Sequence, residues 1–331
     1  MKKIGIIGTG IYGTALALTA TRAQNEVLCW ARKPEIIADI NTNHRNQAYL
    51  PNVSLPETIK GTNNLAEVFD FSDIILLTTS AQSTREILKI AKPYIKKETK
   101  LVLCAKGIEE NTGKLLSEIA NEELPNTNIA ILTGPGFAND IAQKKFVSVT
   151  IASSKKEIAE EITQSLGTPY YRPYMTTDII SPQVGGSIKN VIAIASGIVE
   201  GAHLGDGARA ALITRGIMEI TRFAKALGGN TQTLMGMCGL GDLVMTASCI
   251  QSRNFSFGCQ IGIYGSAEKP LKENTHTVEG LSTTRAVVKR ARELNIEMPI
   301  CETVNRILYH GVSLEDALKE LLSRPYKAEG I

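Results

Sequence analysis

Over the first 180 residues, short continuous apolar runs alternate with longer stretches of mixed polarity. The runs at 3–7, 27–30, 73–78, 100–104, 128–132 and 146–151 predict strands, and the stretches at 13–24, 83–92, 112–123 and 155–165 predict helices. Unbroken apolar strands between helices fit a parallel sheet covered on both faces. After residue 185 the period changes. Ile188, Val191, Ile192, Ala195, Ile198, Val199 and Ala202 recur at steps of three and four, which predicts a helix. Further helices are predicted at 209–227, 283–294, 300–309 and 314–322, the first of them stopped by Gly228-Gly229. The expected organisation is an α/β domain over 1–184 followed by a predominantly α-helical domain over 185–331. With no linker, repeat or low-complexity tract between them, a ligand cleft is expected at their junction.

Length supports that division, because 331 residues exceed one ordinary hydrophobic core. A 43% hydrophobic, 21% charged composition reads as globular and soluble, and a net charge of +3 singles out neither nucleic acid nor an anionic membrane as partner. Cys29, Cys104, Cys238, Cys249, Cys259 and Cys301 are too scattered for a structural zinc site and are expected to be reduced; no metal is expected. The basic pair and apolar run of MKKIGIIGTGIYG superficially resemble a signal peptide. Glycines interrupt the run, and no stretch reaches the ~20 apolar residues of a membrane span, so a cytoplasmic location is expected.

Gly8, Gly10 and Gly13 form a GxGxxG at the junction of the first strand and the first helix. In that position Gly8 permits the tight turn, Gly10 lets the backbone approach a pyrophosphate, and Gly13 allows close helix packing. The predicted α/β region is therefore Rossmann-type and dinucleotide-binding. Arg32 and Lys33 follow the second strand where an NAD site often carries a ribose-binding acid; a guanidinium there favours or tolerates the 2′-phosphate of NADP. The alternative is that both simply face solvent.

Lys106 lies just beyond one strand and the Gly134-Pro135-Gly136 turn beyond another, at the end where ligands bind in this architecture. Lys106 is a candidate anion contact or proton-transfer residue, against an ordinary surface lysine. Lys189, near the start of the apolar-striped helix, is the sharper candidate. Desolvation or a neighbouring cation lowers a lysine pKa from ~10.4 toward neutrality and makes its amine a usable base; a snorkelling lysine at a helix end is the alternative. Asn190 is a candidate to orient water or cap backbone. Asp242 in GLGDLVMT and the Ser252-Arg253-Asn254 run suit a small phosphorylated ligand, arginine gripping two oxygens while the others donate. A structural Asp242–Arg253 ion pair and a helix cap are the plain alternatives for these residues. Glu279 in TVEGLST is a candidate contact to cofactor or domain interface.

Taken in order, GTGIYGTALA, NHRNQAYLP, AKGIE, TGPGFA, GGSIKNVIAIASGIVEG, ARAALITRG, GLGDLVMT, QSRNFSFG, VEG and EMPI resemble the bacterial NAD(P)-dependent glycerol-3-phosphate dehydrogenases across nearly the whole chain. The resemblance implies reversible reduction of dihydroxyacetone phosphate to sn-glycerol 3-phosphate for phospholipid synthesis, without a metal. It implies Lys189 as catalytic lysine, and Lys106, Gly134, Gly136, Lys189, Asp242, Ser252, Arg253 and Asn254 as the substrate site. It places Gly8, Gly10, Ile11, Tyr12, Gly13, Arg32, Lys106, Ala138, Arg253, Thr277 and Glu279 at the cofactor, NADPH or NADH. Three positions depart from the family pattern: Ile11 stands for serine or tryptophan, Gly136 for a hydroxyl residue and Asp140 for glutamate. Similar proteins are often homodimeric, although these helical stripes can equally be buried within one chain. Two other readings remain: a ketopantoate-reductase-like or hydroxyacid dehydrogenase, and a non-catalytic dinucleotide sensor.

Overall fold

A computed structural model describes residues 1–323 and 325. Eight strands, β1 (Lys3–Ile7), β2 (Glu26–Trp30), β3 (Ile59–Thr62), β4 (Ile74–Leu77), β5 (Lys100–Leu103), β6 (Asn128–Thr133), β7 (Val147–Ala152) and β8 (Tyr171–Thr176), form one sheet. Their order is β3-β2-β1-β4-β5-β6-β7-β8. All neighbours are parallel except β6 and β7, which pair antiparallel. The order reverses between β1 and β4, so the ends of these strands open the crevice where α/β sheets bind ligands.

β3 and β8 lie outside the strands that the apolar pattern predicts. Both are edges, where one flank faces no neighbour. β3 reads IKGT, and β8 carries Pro173 with Arg172, Tyr174 and Met175 exposed, so neither presents a continuous apolar run. The helix predicted from 112 starts only at Leu116, because Gly113 takes φ 71° and Ile108 bridges to Leu115, closing residues 108–115 into a turn.

Two apolar clusters cover the sheet, one on each face, and a third fills the helical region. The axis of that region is the helix Ser181–Gly201, which buries every residue except Glu200. Its neighbour, the helix Arg253–Tyr264, packs against it glycine on backbone. A side-chain carbon at Gly197 would strike the Phe255 carbonyl, and one at Gly258 would strike the Ile194 carbonyl. This contact brings Asn254, at the start of the second helix, against Asn190. The pair is the scaffold of the site.

Candidate active site

The Gly8–Gly13 turn links β1 to the helix Ile11–Arg22. Gly8 has φ 103°, and a Cβ there would lie 2.9 Å from the Thr79 nitrogen; one at Gly13 would strike the Gly8 carbonyl. Gly10 differs, because a Cβ there would meet nothing within 4 Å. Gly10 thus faces open space in front of a helix start that no side chain caps. Unpaired N–H groups at a helix start attract a phosphate, and this cradle fits a dinucleotide pyrophosphate. Ile11 and Tyr12, in the first turn, are half-buried against the sheet core, and burial pushes the Tyr12 phenol well above its usual range. Arg32 is exposed two residues past β2, while Lys33 lies 4.0 Å from Glu35.

Lys106 follows β5 at the adjoining sheet end. Its Nζ donates to the Gly134 carbonyl at 2.8 Å and to Asp242 Oδ2 at 2.9 Å. Lys189 Nζ donates to the other oxygen, Asp242 Oδ1, at 2.5 Å and to Thr246 Oγ1 at 2.7 Å. One fully buried carboxylate is therefore shared between two ammonium groups. The Asp242–Arg253 pairing, one of the plain alternatives for these residues, is replaced by this arrangement.

The helix reaches β6 here because Gly186 has no side chain, and the turn before Asp242 reaches the helix because Gly185 has none. A Cβ at Gly186 would lie 2.6 Å from Thr133 Oγ1, and one at Gly185 would lie 2.5 Å from the Cys238 carbonyl. Lys189, one turn on, is only 4% exposed. That burial lowers its pKa to about 7, with Lys106 adding to the fall and Asp242 opposing it. An ammonium in this place has what a surface lysine lacks, a proton that leaves near neutral pH.

Asn190 ties the surrounding elements together. Its Nδ2 donates to the Lys106 carbonyl at 3.1 Å, and its Oδ1 accepts from Asn254 Nδ2 at 3.0 Å. Asn254 Oδ1 then accepts from the Gly280 nitrogen at 2.9 Å. Ser252 Oγ caps the helix Arg253–Tyr264 by accepting from the Phe255 nitrogen at 3.3 Å, and Arg253 stands exposed in the first turn. Glu279 opens the helix Glu279–Glu293, with its carboxyl beside Gly107; burial raises its pKa to about 7 against the pull of Lys106, Lys189 and Arg253. Thr277, two residues earlier, is exposed.

The remaining candidates meet the cluster less directly. Gly136 packs where a Cβ would lie 2.7 Å from Val147 Cγ1, so a hydroxyl side chain needs Val147 to yield. Ala138 opens the helix Ala138–Ala142, and Asp140 pairs with Lys145 at 2.7 Å. The sequence reading passed over Thr246. Its signal was present: it stands four residues after Asp242 on the helix Asp242–Ala247, hence on the same face.

Known proteins resemble this chain along nearly its whole length. Residues 3–159 match the family model described as NAD-dependent glycerol-3-phosphate dehydrogenase N-terminus, and residues 178–319 match its C-terminus. A protein of Rhodospirillum rubrum named glycerol-3-phosphate dehydrogenase (NAD(P)+) is 43% identical over 327 residues, spanning 99% of this chain and 94% of that protein. The crystal structure of glycerol-3-phosphate dehydrogenase from Coxiella burnetii aligns with TM-score 0.92 and 34% identity, covering 98% of this chain and 99% of the other. A ketopantoate reductase from Ralstonia eutropha aligns with TM-score 0.62 and 16% identity over 96% of this chain and 99% of the other, a likeness of fold alone. Among the described residues no cluster suits a metal ion, and no helix is long and apolar enough to cross a membrane.

Proposed function

The chain belongs to the NAD-dependent glycerol-3-phosphate dehydrogenase family, and from that premise we propose the role of each residue in the site. The protein is an NAD(P)-dependent oxidoreductase that interconverts dihydroxyacetone phosphate and sn-glycerol 3-phosphate. The observation that carries the assignment of roles is the Asp242 carboxylate held between Lys106 and Lys189 beside the glycine-rich turn.

When bound, the nicotinamide cofactor supplies or accepts the hydride at C2 of the substrate. Gly10, Ile11, Tyr12 and Gly13 would hold its pyrophosphate at the uncapped helix start, while Gly8, whose own N–H donates to the Trp30 carbonyl, shapes the turn. Arg32, Ala138, Thr277 and Glu279 would complete the cofactor site. Lys189 is the catalytic acid in reduction, giving a proton to the developing alkoxide. In oxidation its neutral amine takes the hydroxyl proton. Asp242 fixes the direction of the Lys189 ammonium and balances Lys106, which donates to the substrate oxygens from the sheet side, beside Gly134 and Gly136. Arg253 grips the phosphate in bidentate fashion at the start of its helix, with Ser252 and Asn254 shaping the seat.

The product fits the backbone unit of glycerophospholipids, and that is the synthesis we assign it to. The six cysteines are all unpaired, as a reducing compartment leaves them, which supports a cytoplasmic location. The proposed assembly is a homodimer, to be checked by sedimentation. The activity is tested by following NADPH and NADH absorbance with dihydroxyacetone phosphate, unphosphorylated dihydroxyacetone and ketopantoate. Rapid turnover is expected with the phosphorylated triose alone. Turnover with ketopantoate instead would reject the substrate assignment, and equal use of both cofactors, unchanged by Arg32→Ala, would reject the role of Arg32.

A further inference from the structure

The stretch NHRNQAYLP, residues 43–51, supplies none of the groups assigned above, yet it inserts one polar side chain deep against the glycine-rich turn. Asn46 is fully buried. Its Nδ2 donates to the Thr9 carbonyl at 3.0 Å and to Thr14 Oγ1 at 2.8 Å. We propose that Asn46 is a positioning residue of the dinucleotide site, keeping the carbonyls of the glycine-rich turn directed away from the cofactor phosphates.

The hydrogen bonds of the turn carry this argument. The Gly8 carbonyl accepts from Thr78 Oγ1 at 2.5 Å. The Thr9 carbonyl accepts from Asn46, and the Gly10 carbonyl accepts from Thr14 Oγ1 at 2.8 Å and from the Thr14 nitrogen at 2.9 Å. Three consecutive carbonyls are thus tied on the protein side. A carbonyl turned outward would set its negative end against a phosphate, in the place where N–H groups have to point. Asn46 serves two of the three anchors, Thr9 directly and Gly10 through Thr14.

The amide orientation follows from its partners. A carbonyl only accepts, and the Thr14 hydroxyl proton is committed to Gly10, so both contacts need donors. The cost of this arrangement is visible at the other end of the side chain, where Oδ1 is buried with no hydrogen-bond partner. An apolar side chain of similar shape would avoid that cost but could not hold the two acceptors. The segment itself is braced for the task. The Asn46 carbonyl accepts from the nitrogens of Tyr49 at 3.1 Å and Leu50 at 2.8 Å, and the Gln47 nitrogen donates to Asp39 Oδ2 at 2.8 Å.

The inference rests on the dinucleotide reading of this turn, so NADPH is first titrated onto the native protein by fluorescence; absence of binding would overturn both. The test variant is Asn46→Asp, which keeps the shape and replaces the two donors by acceptors. Its NADPH Kd should rise at least about tenfold at pH 8, with kcat at saturating NADPH and KM for dihydroxyacetone phosphate within about twofold of native. Affinity should recover toward pH 6, where the introduced carboxyl takes up a proton and donates to Thr9 again, whereas the native protein should show no such recovery. Should that variant fail to fold, Thr14→Val is expected to weaken NADPH in the same way and Thr14→Ser to retain affinity. NADPH affinity within twofold of native in Asn46→Asp, or in Thr14→Val where that is the folded variant, would overturn the inference. So would a loss in Asn46→Asp that falls on kcat and both KM values alike and ignores pH.

Discussion

Lys189 and Asp242, 53 residues apart in sequence, meet at 2.5 Å inside the protein, and the second oxygen of the same carboxylate is taken by Lys106. A carboxylate between two ammonium groups holds each of them in a fixed direction. It also sets the proton affinity of Lys189 against the burial that lowers it. The chemistry of the site follows from this balance.

Lys189→Ala should lower turnover by about 10² to 10⁴-fold while NADPH still binds, since the residue lost is the proton donor and acceptor. For the native enzyme, kcat/KM for glycerol 3-phosphate oxidation should rise with pH through a limb near 7, as the amine becomes neutral. Asp242→Asn removes the charge that favours the ammonium while Lys106 and the burial remain, so the limb should move to lower pH. A limb that stays in place or moves upward would contradict the assignment. Stability has its own sign: the unfolded lysine binds more protons than the folded one between about 7 and 10.5, so the contribution of this group to stability rises across that window.

Arg253→Ala should raise KM for dihydroxyacetone phosphate by at least about tenfold, the scale of one lost charge-assisted contact. The slow reaction with unphosphorylated dihydroxyacetone should hardly change. Equal losses on both substrates would show that Arg253 acts on the cofactor or the fold instead of the phosphate.

Gly10 and Gly13 should separate cofactor affinity from folding. Gly10→Ala meets no protein atom within 4 Å, so its melting temperature should stay within a few degrees while NADPH binding weakens. Gly13→Ala drives a methyl into the Gly8 carbonyl and should lose stability along with activity. Thermal denaturation with and without NADPH distinguishes the two.

Glu219 carries a prediction away from the site. It is 1% exposed and accepts from the Ile300 and Cys301 nitrogens at the start of the helix Pro299–Tyr309, yet burial raises its pKa from 4.5 to about 7. The native state therefore binds more protons than the unfolded chain between about 4.5 and 7. The stability this group contributes is full below 4.5 and is lost as pH rises to about 7, a change of about 3 kcal/mol. Glu219→Gln should flatten that part of the pH–stability curve. Urea melts across the window read it directly, and an unchanged slope would assign it to other groups.

Local patterns in the chain were enough to determine the alternating α/β region, the helical region after it, and the glycine-rich turn between β1 and the first helix. These are short-range properties: buried strands need consecutive apolar residues, and a tight turn into a helix needs glycine at fixed offsets. The edge strands β3 and β8 escaped the same reading because an edge has an open flank, where Arg172, Tyr174 and Met175 stand exposed without penalty. The sequence also marked Lys106, Lys189 and Asp242 one by one. Tertiary structure alone decided that they form a single network, that Arg253 has no share in that ion pair, and that Asn254 is spent on Asn190 and Gly280. The reason is distance along the chain. Lys106 and Asp242 are separated by 136 residues, and no local period records which of many charges meets another. Their meeting depends on Gly186 letting a buried helix reach the sheet and on Gly185 letting the turn before Asp242 reach that helix, and so on how the whole molecule packs.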